Sequence, residues 1–304
     1  MEVRDNCKKP FGVTPAAMTI WDSNGEYDAK REEKYLRWLL DNGAQSLSFC
    51  GSTGENKAMN MEQQKKIIEH VTSFIAGEVP LICGTGFYNT KDTIEMSKFA
   101  DDHGVDGVMV ILPYYFTPHK EAVMRHYREI RKNISCRLMV YNNPHFTGIE
   151  LTPTEVKELV EDGTVQDIKS AHGDPNRIHE LKYHCGDKLN VFYGHDYCAP
   201  EGFLAGADGW LSGFPGFLPK ICREIWDKAS AKDVDGAFAA QAKLQPYSDY
   251  FFNDKKNGYP HWLEIGKYTL VAQGVDAGIC RLPLAELDDE NKKKIDKLIA
   301  DLYK

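Results

Sequence analysis

Lys169 stands within the stretch VQDIKSAHGDP, residues 165–175, where an apolar run meets a turn. A lysine at a strand end usually lays its stem on apolar surface and extends its ammonium into water. An amine kept out of water has another use, since burial favours the neutral form and only the neutral amine attacks a carbonyl carbon. Lys169 is therefore a candidate nucleophile that forms an imine with the C2 carbonyl of a 2-oxo acid. A phenol at hydrogen-bond distance could then carry the proton that the adjacent carbon loses.

Polar groups that could assist this amine follow other apolar runs, in GSTGE (51–55), PYY (113–115), YNNP (141–144) and GHD (194–196). In the first of these turns, the glycines let backbone N–H groups approach an anion, and the hydroxyls of Ser52 and Thr53 add donors. A small carboxylate would suit such a turn. Taken singly, the turn could be only a helix cap and each tyrosine only a core residue with a polar end. Their convergence at one end of a sheet favours a site.

Eight short, β-rich apolar runs recur along the chain. They begin at Gly12, Gln45, Val79, Asp106, Cys136, Val165, Leu189 and Ala207. Between them, apolar residues spaced three and four apart predict amphipathic helices, for example over 28–41, 61–75, 91–102 and 120–132. Strands buried on both faces and alternating with helices are typical of a parallel sheet.

We predict an α/β fold, a (β/α)8 TIM barrel over residues 1–225. An open doubly wound sheet is the alternative, but Gly84-Thr85-Gly86 lacks the third glycine of a dinucleotide-binding fingerprint. After about Leu218 only helical patterns remain, over 219–230, 233–248, 261–273 and 288–303, with a turn at 257–260. We therefore predict a helical C-terminal extension over residues 226–304 that serves packing or assembly.

The formal net charge of −8 and the lack of long basic blocks argue against nucleic acid as a partner. The charged N-terminus and the lack of any apolar stretch of about 18 residues predict a cytoplasmic protein that does not enter a membrane. The eight cysteines form no CxxC pair and are predicted to be reduced and structural.

Histidines offer weaker candidates. His179 and His184 are five residues apart, instead of the four of a helical zinc motif, so a metal site there is not expected. His172 and His195 border the proposed site, where each is either a turn residue or a hydrogen-bond partner for substrate hydroxyls.

GSTGE, PYY, YNNPHFTG (141–148) and DIKSAHGD (167–174), in this order, resemble the dihydrodipicolinate synthase / N-acetylneuraminate lyase family of class I pyruvate-dependent aldolases. The resemblance spans the barrel and, more loosely, the extension. It implies a homotetramer that uses no organic cofactor and no catalytic metal.

The resemblance also implies roles for individual residues. Lys169 matches the Schiff-base lysine, Tyr141 the proton-shuttling tyrosine, and Ser52 with Thr53 the pair that binds the pyruvate carboxylate and relays protons. Gly51 belongs to the same carboxylate-binding turn. Tyr115 is similar to a tyrosine that completes the relay across a subunit interface. Gly194 and Leu211 match backbone positions near the imine.

Departures from the family pattern concern the second substrate. Phe146 occupies the position at which the lysine-pathway synthases use an arginine to bind the carboxylate of the aldehyde, and a phenyl ring cannot replace a guanidinium. Asp196 follows the glycine as it does in the sialic acid lyases. Tyr197 and Gly213, however, stand where those lyases use a glutamate and a serine to hold the sugar tail.

We therefore predict a Schiff-base-forming lyase, of aldolase or dehydratase type, that acts on pyruvate or a 2-oxo-3-deoxy acid, and possible substrates include an aldehyde. Lys169, Tyr141, Thr53 and Tyr115 are the predicted catalytic residues. The predicted substrate-binding residues are Gly51, Ser52, Phe146, His172, Gly194, Asp196 and Leu211. The alternatives are a true 4-hydroxy-tetrahydrodipicolinate synthase and a non-catalytic sensor of 2-oxo acids.

Overall fold

The barrel is formed by eight parallel strands in the order β1-β8-β7-β6-β5-β4-β3-β2. The computed structural model describes residues 2–253 and 259–304. The strands are β1 Gly12–Pro15, β2 Leu47–Phe49, β3 Leu81–Gly84, β4 Gly107–Ile111, β5 Arg137–Asn142, β6 Asp167–Ser170, β7 Asn190–Tyr193 and β8 Gly209–Ser212. A bridge between Ala16 and Ser48 brings β1 beside β2 and closes the ring. The predicted (β/α)8 barrel is confirmed, and every strand lies within one of the eight apolar runs.

Helices follow the strands and cover the outside of the barrel. Their bounds are α1 Ala29–Asp41, α2 Met61–Ile75, α3 Thr90–Asp102, α4 Lys120–Arg131, α5 Pro144–Thr147, α6 Pro153–Glu161, α7 Pro175–Cys185, α8 Ala199–Leu204, α9 Phe214–Phe217, α10 Pro219–Ser230, α11 Val234–Asn253, α12 Trp262–Val271 and α13 Asp289–Leu302. None of the helices in the described ranges is long and apolar enough to cross a bilayer.

Local capping sequences fix where several helices begin. Asn60 accepts a hydrogen bond from the backbone of Gln63, whose side chain in turn accepts one from the Asn60 backbone, and this capping box starts α2. Thr152 and Glu155 form the same arrangement at α6. These caps satisfy N–H groups that have no partner within the helix.

Two apolar layers hold the barrel together. The larger one lies between the strands and the surrounding helices, while a smaller cluster fills the barrel interior. The interior cluster consists of Ala16, Ile82, Met109, Met139, Tyr141, Ala171, Phe192 and Leu211. The barrel is thus a filled core, and polar side chains enter it only at particular positions.

One such position is occupied by a buried ion pair below Lys169. Asp167 accepts hydrogen bonds from Arg137 Nε at 2.8 Å and Nη2 at 2.9 Å, and from Asn190 Nδ2 at 2.8 Å. Asp167 and Lys169 are two residues apart on β6, so their side chains leave the strand on the same face. Because Asp167 is fully engaged by Arg137 and Asn190, it belongs to the structural interior of the barrel.

The C-terminal helices pack against the barrel through a cluster of aromatic rings. Phe214 and Phe217 of α9 meet Tyr247 and Phe251 of α11 at centroid distances between 5.0 and 6.4 Å. The helix predicted to end at Ser248 continues to Asn253, because residues 250 and 251 extend its buried face.

The domain division at 225/226 stays a prediction, and α10 runs across that position. Residues 257 and 258 of the predicted turn at 257–260 lie outside the described residues.

Replacing Asp167 by alanine is expected to lower the free energy of unfolding by about 3–5 kcal/mol, because Arg137 would lose its partner inside the barrel. Urea denaturation of the two proteins measures the difference. Asp227→Ala is the matched control, since Asp227 pairs with Arg223 at 2.7 Å on the surface. Its loss should cost less than about 1 kcal/mol. An equal decrease in the free energy of unfolding in the two variants would show that the buried Arg137–Asp167 pair stabilises the fold no more than a surface pair does.

Candidate active site

Lys169 lies in the barrel interior between two aromatic residues. In the strand register it faces Tyr141 of β5 on one side and Phe192 of β7 on the other. Only 5% of the residue is exposed, and Nζ lies 4.2 Å from the centroid of the Tyr141 ring. The amine is therefore largely removed from bulk water and close to the Tyr141 ring.

Gly194 makes room for the stem of this lysine. A Cβ added to Gly194, just after β7, would lie 2.8 Å from Cγ of Lys169 and 3.0 Å from the carbonyl oxygen of Ser170. Real Cβ atoms do not approach other atoms so closely, so a larger residue would displace either the lysine or the strand. The predicted position of Gly194 beside Lys169 thus has a steric basis.

Tyr141 is oriented by Asn143, which the sequence analysis did not single out. Asn143 Nδ2 donates a hydrogen bond to the Tyr141 phenolic oxygen at 2.9 Å, and both residues are buried. A phenol that accepts this bond keeps its own proton available for another acceptor. In the sequence, Asn143 is visible only as the second asparagine of YNNP, and nothing in that motif alone indicates this hydrogen bond.

The turn after β2 brings the hydroxyls of Ser52 and Thr53 to the same end of the barrel. Thr53 is buried, whereas Gly51 and Ser52 are half-buried. Cys50 and Glu55, at the two ends of the turn, both have left-handed backbones with φ of +54° and +55°. Such conformations are strained for residues that carry a Cβ. Contacts outside the turn must therefore hold it in shape.

Asp196 is a buried carboxylate with one free oxygen at this end of the barrel. Ser212 Oγ donates to Oδ2 at 2.8 Å, while Oδ1 has no hydrogen-bond partner within the described residues. Burial raises the pKa of Asp196 to about 6, and that rise is opposed by the hydrogen bonds from Ser212 and the Phe214 backbone and by the charge of Lys169. A buried acceptor of this kind suits a substrate hydroxyl. Ser212 escaped the sequence analysis, although it ends β8.

His195 belongs to a stack of rings beside Asp196. Its ring centroid is 4.3 Å from that of Tyr197, which lies 3.9 Å from that of Phe252. Burial, with smaller effects of Lys169 and His145, lowers the pKa of His195 to about 4, so the imidazole is neutral at pH 7. His195 Nδ1 accepts a hydrogen bond from the Asp196 backbone at 2.9 Å. His195 therefore helps to shape the segment that carries Asp196.

The remaining predicted substrate-binding residues have different surroundings. Leu211 is fully buried in the interior cluster. His172 Nε2 lies 3.7 Å from a carboxylate oxygen of Glu150, which also pairs with Arg177 at 2.7 Å. Phe146 is 56% exposed on the short helix α5. The structure thus leaves His172 with a protein partner and Phe146 with a largely exposed ring.

Tyr115 is not drawn into the barrel by its own chain. Its side chain is 85% exposed, its backbone φ is +74°, and its ring meets Phe116 edge to face at 4.7 Å. The phenol therefore faces away from the buried surroundings of Lys169. This differs from Tyr141, which the barrel itself positions.

A family comparison bears on the whole chain. The model of the Dihydrodipicolinate synthetase family matches residues 9–302. The chain belongs to this family. The resemblance inferred from the four motifs is thereby confirmed.

Relatives within the dihydrodipicolinate synthetase family match this chain over nearly its full length. A 4-hydroxy-tetrahydrodipicolinate synthase from Methanocaldococcus jannaschii is 32% identical over 292 residues, with 96% of this chain and 98% of the relative covered. A dihydrodipicolinate synthase from Acinetobacter baumannii, solved with pyruvate, is similar with a TM-score of 0.87 and 30% identity, covering 97% of this chain and 99% of that one. YagE from E. coli K12, also solved with pyruvate, has a TM-score of 0.89 at 25% identity and covers 96% and 98%.

Gly194→Ala should impair imine formation, because the new Cβ collides with the Lys169 stem. We expect the rate at which pyruvate and borohydride modify Lys169 to fall by about tenfold or more, since small displacements of a reacting group are costly. Gly107→Ala is the control, because the closest atom to its added Cβ would be 3.4 Å away. A Gly194→Ala rate within twofold of the control would contradict the steric assignment.

Proposed function

We propose that this protein is a Schiff-base-forming lyase that acts on pyruvate or a 2-oxo-3-deoxy acid through Lys169. The observation that carries the proposal is the buried Lys169 amine, 4.2 Å from the centroid of the Tyr141 ring at the C-terminal end of a closed barrel. Membership of a family of class I aldolase-type lyases supports it. The two solved relatives with pyruvate support the same class of substrate.

In the proposed reaction, the neutral Lys169 amine attacks the C2 carbonyl carbon of the 2-oxo acid. The resulting carbinolamine loses water and becomes an iminium ion, which draws electrons from the adjacent carbon. That carbon loses a proton to form an enamine, or a carbon–carbon bond next to it breaks in the cleavage direction. Tyr141, with its oxygen held by Asn143, carries protons to and from these intermediates.

The substrate carboxylate is proposed to bind at the turn after β2. Backbone N–H groups near Gly51 and the hydroxyls of Ser52 and Thr53 supply donors there. Gly194 and Leu211 border the imine. Tyr115 would join the proton relay of a neighbouring subunit, which agrees with its exposure on its own chain.

The second substrate is proposed to meet Asp196, His172 and Phe146. Oδ1 of Asp196, which has no hydrogen-bond partner in the described part of the chain, is an acceptor for a hydroxyl group, and Phe146 offers a carboxylate no cation. These residues favour a hydroxylated 2-oxo-3-deoxy acid or its aldehyde fragment over an acidic aldehyde. The chemistry is then aldol cleavage, or dehydration if the bond that breaks is carbon–oxygen.

A true 4-hydroxy-tetrahydrodipicolinate synthase is the second candidate. It is favoured by the names of curated relatives at about one third identity, of which the M. jannaschii enzyme is one. Phe146 argues against it, because the arginine expected for the acidic aldehyde is missing. A non-catalytic sensor of 2-oxo acids is the remaining alternative, and it would need Lys169 to be inert.

We further propose that the protein is a cytoplasmic homotetramer with no organic cofactor or catalytic metal. An exposed Tyr115 beside an exposed Phe116 supports a subunit contact at this end of the barrel.

Incubation with pyruvate and borohydride should leave a reduced pyruvate adduct on Lys169, because hydride traps the iminium ion. Peptide mass spectrometry locates the adduct. Lys169→Met should abolish the adduct, while Lys188→Met, which removes a lysine close to β7, should leave it unchanged. If pyruvate and a panel of 2-oxo-3-deoxy acids all leave Lys169 unmodified, the sensor alternative replaces the lyase.

Phe146→Arg should raise kcat/KM for aspartate semialdehyde with pyruvate by about tenfold or more, because a charge-assisted pair with a carboxylate contributes roughly 1.5–3 kcal/mol. Phe146→Leu is the control, since it removes the ring without adding a charge. An unchanged kcat/KM in Phe146→Arg would mean that the pocket differs from that of the synthases at more than this position.

A further inference from the structure

Glu55, the last residue of the GSTGE turn, is a buried carboxylate that the proposed reaction does not use. Its side chain accepts a hydrogen bond from Trp21 Nε1 at 3.0 Å and another from the backbone N–H of Arg281 at 2.8 Å. Trp21 lies in the loop after β1, whereas Arg281 lies in the C-terminal extension, 226 residues away along the chain. Glu55 therefore joins the turn to two distant segments.

Lys267 of α12 supplies the countercharge for this carboxylate. Its Nζ lies 3.6 Å from Glu55 Oε1, and only 4% of Lys267 and 5% of Glu55 are exposed. The same ammonium donates to the carbonyl oxygens of Thr19 and Ala277. Burial lowers the pKa of Lys267, and the charge of Glu55 opposes that decrease. Each charge therefore depends on the other to remain inside the protein.

Thr19 gives Lys267 a second connection to the turn. While the Thr19 carbonyl accepts from Lys267, its Oγ1 donates to the carbonyl of Gly54 at 2.7 Å. A Cβ on Gly54 would lie 3.1 Å from the Ala17 carbonyl oxygen, so the turn is packed closely against this segment. Lys267 thus reaches residues 54 and 55 both directly and through Thr19.

Arg281 makes further contacts with the segments on both sides of the Glu55 carboxylate. Its guanidinium stacks over the Trp21 ring at 3.8 Å and donates to the carbonyls of Gly25 and Ala58 at 2.8 and 2.7 Å. Ala58 lies three residues after Glu55. The extension therefore contacts the chain at the end of the turn and again just beyond it.

These contacts explain how a strained turn keeps its shape. Left-handed backbones at Cys50 and Glu55 cost of order 1–3 kcal/mol each and persist only where the surroundings enforce them. Ser52 and Thr53 lie between these two residues. A buried ion pair is weak evidence for stability alone, since its desolvation cost offsets much of the attraction. A fixed position for the hydroxyls is a more specific use of such a pair.

We infer that Glu55 and Lys267 are positioning residues, through which the C-terminal extension fixes the Ser52–Thr53 turn for binding the carboxylate of the 2-oxo acid. This inference rests on the proposed function, in which that turn receives the carboxylate. It assigns the extension a part in the active site, although none of its own side chains needs to touch the substrate.

Two variants separate positioning from stability. Lys267→Met removes the countercharge but leaves the Glu55 carboxyl group buried. Glu55→Gln/Lys267→Met removes both charges, so it should recover much of the lost thermal stability. The glutamine still cannot accept from both Trp21 and Arg281, because its amide nitrogen is a donor. Lys243→Met is the matched control, since Lys243 pairs with Glu224 at 2.8 Å on the surface of the extension.

The measurement is borohydride trapping of the Lys169 adduct over a range of pyruvate concentrations, together with the melting temperature of each protein. We expect the half-saturating pyruvate concentration to rise about tenfold or more in both test variants, with an unchanged plateau of adduct at saturation. Lys243→Met should match the wild type. Partial unfolding would lower the plateau without moving the half-saturating concentration.

The inference is overturned if half-saturation stays within twofold of the wild type in the folded variants. It is also overturned if the double variant regains both melting temperature and half-saturation, because the pair would then act through stability alone.

Crystal structures of the wild type and the double variant keep this test separate from that of the proposed function. A displacement of Ser52 and Thr53 by about 1 Å in the double variant supports the positioning role of Glu55 and Lys267 even if the wild type forms no adduct. In that case only the proposed function fails. If the turn has the same position in the double variant as in the wild type, the positioning role is overturned, even if the wild type forms the adduct.

Discussion

The placement of the Lys169 amine inside the barrel is the constraint on which the proposed chemistry depends. A nucleophilic amine has to spend time uncharged, and the removal of water around it favours that state. The closed ring of strands buries Lys169, with Tyr141 and Phe192 on the two neighbouring strands. Gly194 contributes by having no side chain, since any Cβ would occupy the volume of the lysine stem. The proposed chemistry therefore requires both a closed barrel and close packing around the lysine stem.

Polar groups in the interior are divided by depth along the strands. In one layer, Asp167 is paired with the charge of Arg137 and accepts a hydrogen bond from Asn190. Two residues further along β6, Lys169 has an aromatic ring as its close neighbour. Beyond β7, Asp196 keeps an oxygen that has no hydrogen-bond partner among the residues the structure describes. Asp167 is therefore held by protein partners, whereas Asp196 keeps an oxygen that a substrate hydroxyl can use.

The C-terminal extension bears on the site through the turn after β2. Glu55 ends this turn in a strained conformation, and its carboxylate is held by contacts to Trp21, Lys267 and Arg281. The helices α9 and α11 pack through aromatic rings and keep the extension against the barrel. Residues from both halves of the chain thus determine where two hydroxyl groups lie. This arrangement gives a physical reason for a barrel enzyme to keep helices beyond its eighth strand.

The sequence by itself determined the barrel, because buried strands and amphipathic helices leave periodic local patterns. It also determined the candidate nucleophile and its phenol, since Lys169 and Tyr141 lie in apolar runs whose ends meet at one rim. Tertiary structure alone decided which residues hold these groups: Asn143 on Tyr141, Ser212 on Asp196, and Lys267 and Arg281 on Glu55. Local periodicity carries no record of such pairs, because the two partners often lie far apart in the chain and meet only after folding. The exposure of Tyr115 could not be predicted for a similar reason. It depends on the backbone conformation and on the packing around the residue, and the PYY motif indicates neither.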